Sequence, residues 1–125
     1  MIHVLVVEDD VALGTILHDK LAKEGLSVYL GKDGQEALDI VKVESFDLIL
    51  LDLVMPGKNG FDFLDEYLAT NKNPVPIIVL TNLADFSSKL KAYEKGISAY
   101  LVKADTPLDT LVKKITETAN SKHKF

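Results

Sequence analysis

Five short apolar runs, separated by stretches of helical period, are the feature of this 125-residue sequence that most limits its possible folds. The runs occupy residues 2–7, 26–30, 46–51, 76–80 and 98–102. The first, third and fourth contain continuously apolar stretches, which is typical of parallel strands that are buried on both faces. The second and fifth predict less buried strands. This alternation predicts a parallel sheet covered by helices on both sides.

The intervening stretches predict five helices, of which the second covers residues 33–43 and the fourth residues 84–95. Apolar positions of four helices are expected to face the core. They are Leu13, Ile16, Leu17 and Leu21 in the first helix, and Ala37, Leu38 and Val41 in the second. In the third helix they are Phe61, Leu64 and Leu68, and in the fifth Leu108, Leu111, Val112, Ile115 and Ala119. Gly25 and Gly96 stand where C-terminal caps are expected, and Thr106-Pro107 predicts the N-cap and first turn of the fifth helix. We therefore expect one doubly wound α/β domain over residues 1–125, with an ordered core of about residues 2–120 and no output domain.

The residues that directly follow the strands are the chemically unusual ones. Ligands of doubly wound folds bind at the carboxyl ends of the strands. The polar residues at these positions are Glu8, Asp9 and Asp10 after the first strand, Asp52 after the third, Thr81 after the fourth and Lys103 after the fifth. Carboxylates at one edge repel each other unless a cation lies among them. Oxygen ligands without His or Cys favour a hard ion such as Mg²⁺, with Mn²⁺ as an alternative.

A carboxylate cluster with a bound cation suits the transfer of a phosphoryl group. One carboxylate can act as a nucleophile towards phosphorus, as in aspartyl-phosphate chemistry. A Lys ammonium and a Thr hydroxyl at the same edge can hold the phosphoryl oxygens. A glycine-rich phosphate loop is the other common solution, but the position after the first strand is acidic and repels a free phosphate. The sequence therefore predicts a phosphoryl site that needs a cation.

Three segments in this order and spacing resemble the motifs of response-regulator receiver domains of two-component signalling. They are Val6-Val7-Glu8-Asp9-Asp10, the segment LDLVMPGKNG at residues 51–60, and Tyr100-Leu101-Val102-Lys103. The resemblance covers the whole chain and is to the stand-alone form found in chemotaxis signalling. It implies a flavodoxin-like doubly wound (βα)5 fold with a five-stranded parallel sheet in the order 2-1-3-4-5.

The resemblance assigns the acidic residues to two tasks. Asp52 is implied to be the phosphoacceptor. Asp9, Asp52 and the backbone carbonyl of Val54 are implied to bind Mg²⁺ directly, and Glu8 to act mainly through water. Asp10 is then expected to be the N-cap of the first helix.

The resemblance also implies a switch. Lys103 is the phosphate-binding lysine, Thr81 is the switch hydroxyl, and Tyr100 is the aromatic side chain that follows Thr81 inward. This movement changes the face formed by the fourth helix, fifth strand and fifth helix. The implied partners are a sensor histidine kinase or phosphotransfer protein, and a downstream protein that binds the changed face.

Three departures from the family pattern affect these expectations. Asn82 stands where a small residue usually follows the switch Thr, so the approach to Asp52 is expected to be narrower. Ala104 replaces the proline that usually follows the Lys. Val54 and Leu83 are apolar where the family places residues that influence the attacking water, which predicts slow self-dephosphorylation.

Composition excludes several classes of protein. The chain has no cysteine, so disulfides and thiolate chemistry are absent and a reducing cytoplasm fits. Its net charge of -5 argues against general binding to nucleic acid, and no apolar run is long enough for a membrane span. Lys122-His123-Lys124 is expected to be a solvated tail rather than a binding patch.

Two other functions remain open at this point. One is a small Mg²⁺-dependent phosphohydrolase with an aspartyl nucleophile, although such enzymes carry a second acid where this chain has Val54. The other is a receiver-like interaction module that works without phosphate, which the departures at Asn82 and Ala104 allow. The favoured function is a switch that catalyses only its own phosphorylation and dephosphorylation.

Overall fold

The sheet of the computed structural model, which describes residues 1–121, has five parallel strands in the order 2-1-3-4-5. The strands are β1 (His3–Val7), β2 (Ser27–Gly31), β3 (Leu48–Leu51), β4 (Ile77–Thr81) and β5 (Ala99–Val102). The helices are α1 (Val11–Lys23), α2 (Gly34–Val43), α3 (Gly60–Thr70), α4 (Phe86–Glu94) and α5 (Leu108–Ser121). A short 3₁₀ turn, Lys103–Asp105, follows β5. The flavodoxin-like topology is thus confirmed.

Each central strand sends alternate side chains into two separate apolar layers. In β1, Leu5 and Val7 pack with α2, α3 and α4, whereas Val4 and Val6 pack with α1 and α5. All four are at most 1% exposed. The continuous apolar runs therefore arise because both faces of these strands are covered. The edge strand β2 is less buried, as expected.

The register of the strands sets which chain segments meet at the carboxyl edge. Val7 of β1 is aligned with Leu51 of β3, and Leu51 is aligned with Val79 of β4. The Asp52 N–H donates to the Val7 carbonyl at 3.0 Å, so the residue after β3 lies directly beside the end of β1. The segments that follow β1 and β3 are therefore held together by the sheet itself.

Helix boundaries follow mostly from caps. Asp10 caps α1 by accepting the Leu13 N–H, which confirms the expected N-cap. Gly25 has φ +89, and its N–H donates to the Ala22 carbonyl in the turn that ends α1. Gly96 has φ +101 just after α4, also as expected. Residues with a side chain adopt this conformation only with strain.

Several predictions about helix faces and ends were wrong. Ile16 is 50% exposed because α1 turns Leu17 and Leu21 towards the sheet, and Ile16 lies about 100° around the helix from Leu17. Leu108 is 37% exposed in the first turn of α5. Thr106 is not an N-cap, since its hydroxyl donates to the Val102 carbonyl at 2.8 Å.

Within residues 1–121, none of the helices is both long enough and apolar enough to cross a bilayer. The Lys122-His123-Lys124 tail, expected to be solvated, lies outside the described residues.

Candidate functional site

Three polar or charged residues are buried in the described part of the chain, and all three lie at the carboxyl edge of the sheet. Glu8 follows β1, Asp52 follows β3, and Thr81 ends β4; their exposed fractions are 7%, 5% and 0%. Burying a charge is costly unless it is paired. Buried polar groups concentrated at one edge therefore indicate a functional site.

Lys103 provides the positive charge that these carboxylates share. Its Nζ donates to Glu8 Oε1 at 2.6 Å and to Asp52 Oδ2 at 2.8 Å. Lys103 opens the 3₁₀ turn after β5, and the Thr106 hydroxyl bond to the Val102 carbonyl spans this turn. Its side chain is 18% exposed, so it reaches inward from the rim of the site.

The loop after β3 holds Asp52 in place. The Val54 N–H donates to Asp52 Oδ1 at 3.1 Å, and the Gly60 N–H donates to the Leu53 carbonyl at 3.1 Å. A Cβ on Gly60 would lie 2.6 Å from the Leu53 Cα and would also clash with the Asp52 carbonyl. Glycine is needed at this position because the start of α3 passes directly against the backbone of the loop.

The two buried carboxyl groups titrate differently. Burial and the hydrogen bond with Asp52 raise the pKa of Glu8 to about 7, against the lowering effect of Lys103. Burial also acts to raise the pKa of Asp52, but hydrogen bonds with Glu8, Lys103 and the Val54 N–H outweigh it and lower that pKa. Asp52 is therefore the carboxylate held in its ionised form, the form that acts as a nucleophile.

The acidic residues fit a hard divalent cation. Carboxylate oxygens of Glu8, Asp9 and Asp52 lie within 4.8 Å of one another. Glu8 Oε2 is buried without a hydrogen-bond partner, which a cation or its water ligands would relieve. These groups line a cavity of about 340 Å³. These three carboxyl groups share one nearby ammonium, that of Lys103, so the cluster has more negative than positive charge and favours a bound cation.

Thr81 and Tyr100 are connected through Leu83. The Leu83 N–H donates to Thr81 Oγ1 at 3.4 Å, and the Tyr100 hydroxyl donates to the Leu83 carbonyl at 2.6 Å. Tyr100 is 7% exposed, so its ring packs inward. The segment between β4 and α4 thus contacts both residues of the expected switch.

The structure brings together every residue that the sequence singled out for this edge. Val54, Asn82 and Leu83 line the cavity together with the acidic residues, and Val54 is 54% exposed. Sequence reasoning missed the direct bond between Glu8 and Lys103, which lie 95 residues apart. It also missed the bond from the Tyr100 N–H to the Tyr93 hydroxyl, for which the sequence carries no signal.

A doubly wound sheet with three clustered carboxylates, two of them buried, and with a lysine and a hydroxyl at its carboxyl edge defines a phosphoacceptor switch domain. The comparison with known families agrees, with a match to the response regulator receiver domain over residues 4–116. The chain belongs to this family. Receiver domains act as signalling switches in two-component systems and generally use Mg²⁺.

Individual relatives support the same assignment. The chain is 39% identical over 100 residues to the transcriptional regulatory protein CpxR of Escherichia coli, covering 80% of this chain and 42% of that protein. It is 38% identical over 104 residues to the probable transcriptional regulator ycf27 of Porphyridium aerugineum, covering 83% of this chain and 42% of that protein. Among solved structures, a CheY-like receiver domain protein from Methanospirillum hungatei has a TM-score of 0.92 and 25% sequence identity. The match covers 99% of this chain and 98% of that one. The chain thus spans less than half of the length of these curated relatives.

Proposed function

We propose that Asp52 receives a phosphoryl group from a histidine kinase, a phosphotransfer protein or a small phosphodonor. The observation that carries this proposal is the bond from Lys103 Nζ to both Asp52 and Glu8 inside a cavity at the sheet edge. Asp52 is 5% exposed, lines the cavity and has a lowered pKa, so an ionised carboxylate is held at the edge of the cavity. Burial without an ionised, positioned nucleophile would not serve this chemistry.

In the proposed reaction, a carboxylate oxygen of Asp52 attacks phosphorus. A bond forms between this oxygen and phosphorus, while the bond from phosphorus to the donor nitrogen or oxygen breaks and the donor leaves with the electron pair. The Lys103 ammonium, already 2.8 Å from Asp52 Oδ2, binds an oxygen of the transferred group. The Thr81 hydroxyl donates to another oxygen, since it is the buried hydroxyl at the same edge.

Asp9, Asp52 and the Val54 carbonyl would hold Mg²⁺ or Mn²⁺, with Glu8 acting through water. When bound, the ion supplies the positive charge that lets carboxylates and phosphoryl oxygens share the site. The fit rests on the unpartnered Glu8 oxygen and on the three carboxyl groups within 4.8 Å.

The proposed output follows from the links around Leu83. When Thr81 turns to the phosphoryl group, its acceptor role towards the Leu83 N–H is lost, and the segment before α4 must move. Tyr100 follows because its hydroxyl is bonded to the Leu83 carbonyl. The altered face of α4, β5 and α5 would then bind a downstream protein. We propose that residues 1–125 act as one such unit in the cytoplasm.

The test is to incubate the protein with Mg²⁺ and acetyl phosphate and to measure its intact mass. We expect one phosphoryl adduct that is absent in Asp52→Asn and without Mg²⁺. A matched control is Asp19→Asn, which removes a carboxylate whose side chain is 73% exposed on α1, and it should label like the wild type.

Other results would point to the alternatives. No adduct on the folded wild type would contradict phosphotransfer to Asp52 and favour a phosphate-independent module. Sustained turnover of added phosphoesters would favour a phosphohydrolase. The apolar Val54 stands where such an enzyme carries its second acid, which weighs against that reading.

A further inference from the structure

Helix α4 is the helix that the core holds least. Ala92 is its one buried residue of nine, whereas Phe86 and Leu90 on its first two turns are 75% and 46% exposed. A helix with so little buried apolar surface is positioned by individual contacts rather than by packing. The contacts that fix α4 therefore decide how it responds to a change at the site.

The tertiary contacts of α4 come from its C-terminal half. Lys91 Nζ lies 4.3 Å from the centre of the Phe61 ring, and Lys95, at the C-cap, bonds to Asp65 at 2.5 Å. Lys91 is exposed, whereas the Lys95 side chain is 23% exposed and that of its partner Asp65 is 60% exposed. Each contact reaches α3 through a single long side chain in partial contact with solvent, and such contacts stabilise little. The third contact, from Tyr93, reaches the sheet.

Tyr93 bonds α4 to the backbone of β5. Its hydroxyl accepts the Tyr100 N–H at 3.1 Å. Among residues 1–121, β5 is an edge strand that pairs with β4 alone, and an edge strand leaves part of its backbone N–H groups without a strand partner. Because buried N–H groups need an acceptor, the Tyr93 hydroxyl fills a requirement of the sheet while it fixes the helix.

The N-terminal end of α4 is connected differently. Asp85 caps the helix by accepting the Ser88 N–H, and the segment before Asp85 contains Leu83, which bonds to both Thr81 and Tyr100. The N-terminal end of α4 is therefore attached to the segment that contains Leu83, which is proposed to move when Thr81 turns towards the phosphoryl group. The other end is attached by Tyr93 to the backbone of β5, which is also paired with β4 in the sheet.

We propose that Tyr93 is a positioning residue that forms the fixed point about which α4 turns when Asp52 is phosphorylated. The first two turns of α4, with Phe86 and Leu90, move with the segment before the helix, while residues 91–95 stay in place on β5. This proposal rests on the proposed function of Asp52.

The test is hydrogen–deuterium exchange of the whole protein with and without acetyl phosphate and Mg²⁺, in the wild type, Tyr93→Phe and Tyr29→Phe. Tyr93→Phe keeps the ring and removes the hydroxyl. Tyr29 is the matched control, since it is 42% exposed, like Tyr93 at 43%, but lies on the opposite edge strand β2. Intact mass of the same samples measures the adduct.

We expect phosphorylation of the wild type to change exchange over residues 82–90 and to leave residues 91–95 nearly unchanged. In unphosphorylated Tyr93→Phe, the Tyr100 amide and residues 91–95 should exchange about fivefold faster, because one hydrogen bond is lost. On phosphorylation, the change in Tyr93→Phe should extend over all of α4, at the same adduct level as in the wild type. Tyr29→Phe should behave as the wild type.

Two results would overturn the proposal while the adduct is present. One is an equal change in both halves of α4 in the wild type, a result that requires no variant. The other is wild-type exchange of residues 91–95 in Tyr93→Phe in both states. Absence of the adduct in the wild type would instead refute the proposed function, and the proposal for Tyr93 with it.

Discussion

Replacing Lys103 by Met tests whether the shared ammonium stabilises the fold as well as the site. The change keeps the length of the side chain and removes its charge. Lys103 Nζ lies 2.6 Å from Glu8 Oε1 and 2.8 Å from Asp52 Oδ2, and the two carboxylate side chains are only 3% and 6% exposed. Without Lys103, the two buried carboxyl groups face each other with no cation, so either the charge stays uncompensated or Glu8, whose pKa is already about 7, takes up a proton.

The expected cost follows from this geometry. Removing one partner of a buried ion pair costs about 3–5 kcal/mol because the other charge is left uncompensated. The cavity of about 340 Å³ beside Glu8 and Asp52 admits water, so we expect the lower end, about 3 kcal/mol. For a domain of this size the midpoint of thermal unfolding should fall by about 10 °C. Mg²⁺ should restore part of the loss, since a ligand of the folded state stabilises it.

The assay is equilibrium urea unfolding followed by circular dichroism, in EDTA and then in Mg²⁺. Asp52→Asn is the matched variant, because it removes one carboxylate and leaves Glu8 and Lys103 paired. Its free energy of unfolding should stay within about 1 kcal/mol of the wild type. In the Asp52→Asn background, Lys103→Met should cost at least about 1 kcal/mol less than in the wild type. Equal costs in both backgrounds, or no loss in EDTA, would refute the reasoning.

Three further changes test the loops around the cavity. Val54→Asn introduces an amide that can orient the attacking water, so the phosphoryl group should be lost about tenfold faster than from the wild type. Intact mass over time measures this loss. A wild-type adduct that lasts only seconds at room temperature would contradict the expected slow self-dephosphorylation. Asn82→Ala should widen the entrance and raise the initial rate of labelling by acetyl phosphate several-fold; an unchanged rate would show that Asn82 does not narrow it. Gly60→Ala places a Cβ 2.6 Å from the Leu53 Cα and should lower the free energy of unfolding by about 2 kcal/mol in urea. Gly14→Ala, whose Cβ would meet its nearest atom at 4.0 Å, is the control and should be neutral or stabilising.

The sequence predicted the sheet and its functional edge well because both depend on local patterns. A strand buried on both faces must be continuously apolar. The apolar run from Leu48 to Leu51 therefore predicts both the strand and the residue at which it ends. Parallel strands end at one edge, and this is enough to predict that Glu8, Asp52 and Lys103 lie at the same edge of the sheet. Strand order came from the resemblance to receiver domains, since apolar runs do not specify neighbours.

Features that depend on the rotation of a helix about its axis, or on contacts between residues far apart in the sequence, were not predictable in this way. Ile16 and Leu17 are equally apolar, and only the packing of α1 against the sheet decides that Leu17 is buried and Ile16 is half exposed. The hydroxyl of Thr106 had two possible uses, and the turn after β5 selected the Val102 carbonyl rather than the N-cap role. Tyr93 lies on an exposed helix face, where an aromatic residue carries no sign that its hydroxyl bonds a strand.

The charge balance of the site explains why phosphorylation would act on α4 rather than on the sheet. The carboxyl groups of Glu8, Asp9 and Asp52 cluster around one ammonium, that of Lys103, so negative charge already outnumbers positive charge in this cluster. A phosphoryl group adds further negative charge, so additional donors must turn towards it. The strands are fixed by their ladders and by two apolar layers, whereas the segment from Thr81 to α4 is joined to the site by single hydrogen bonds. The least costly response is therefore a movement of this segment, and α4 begins at its end.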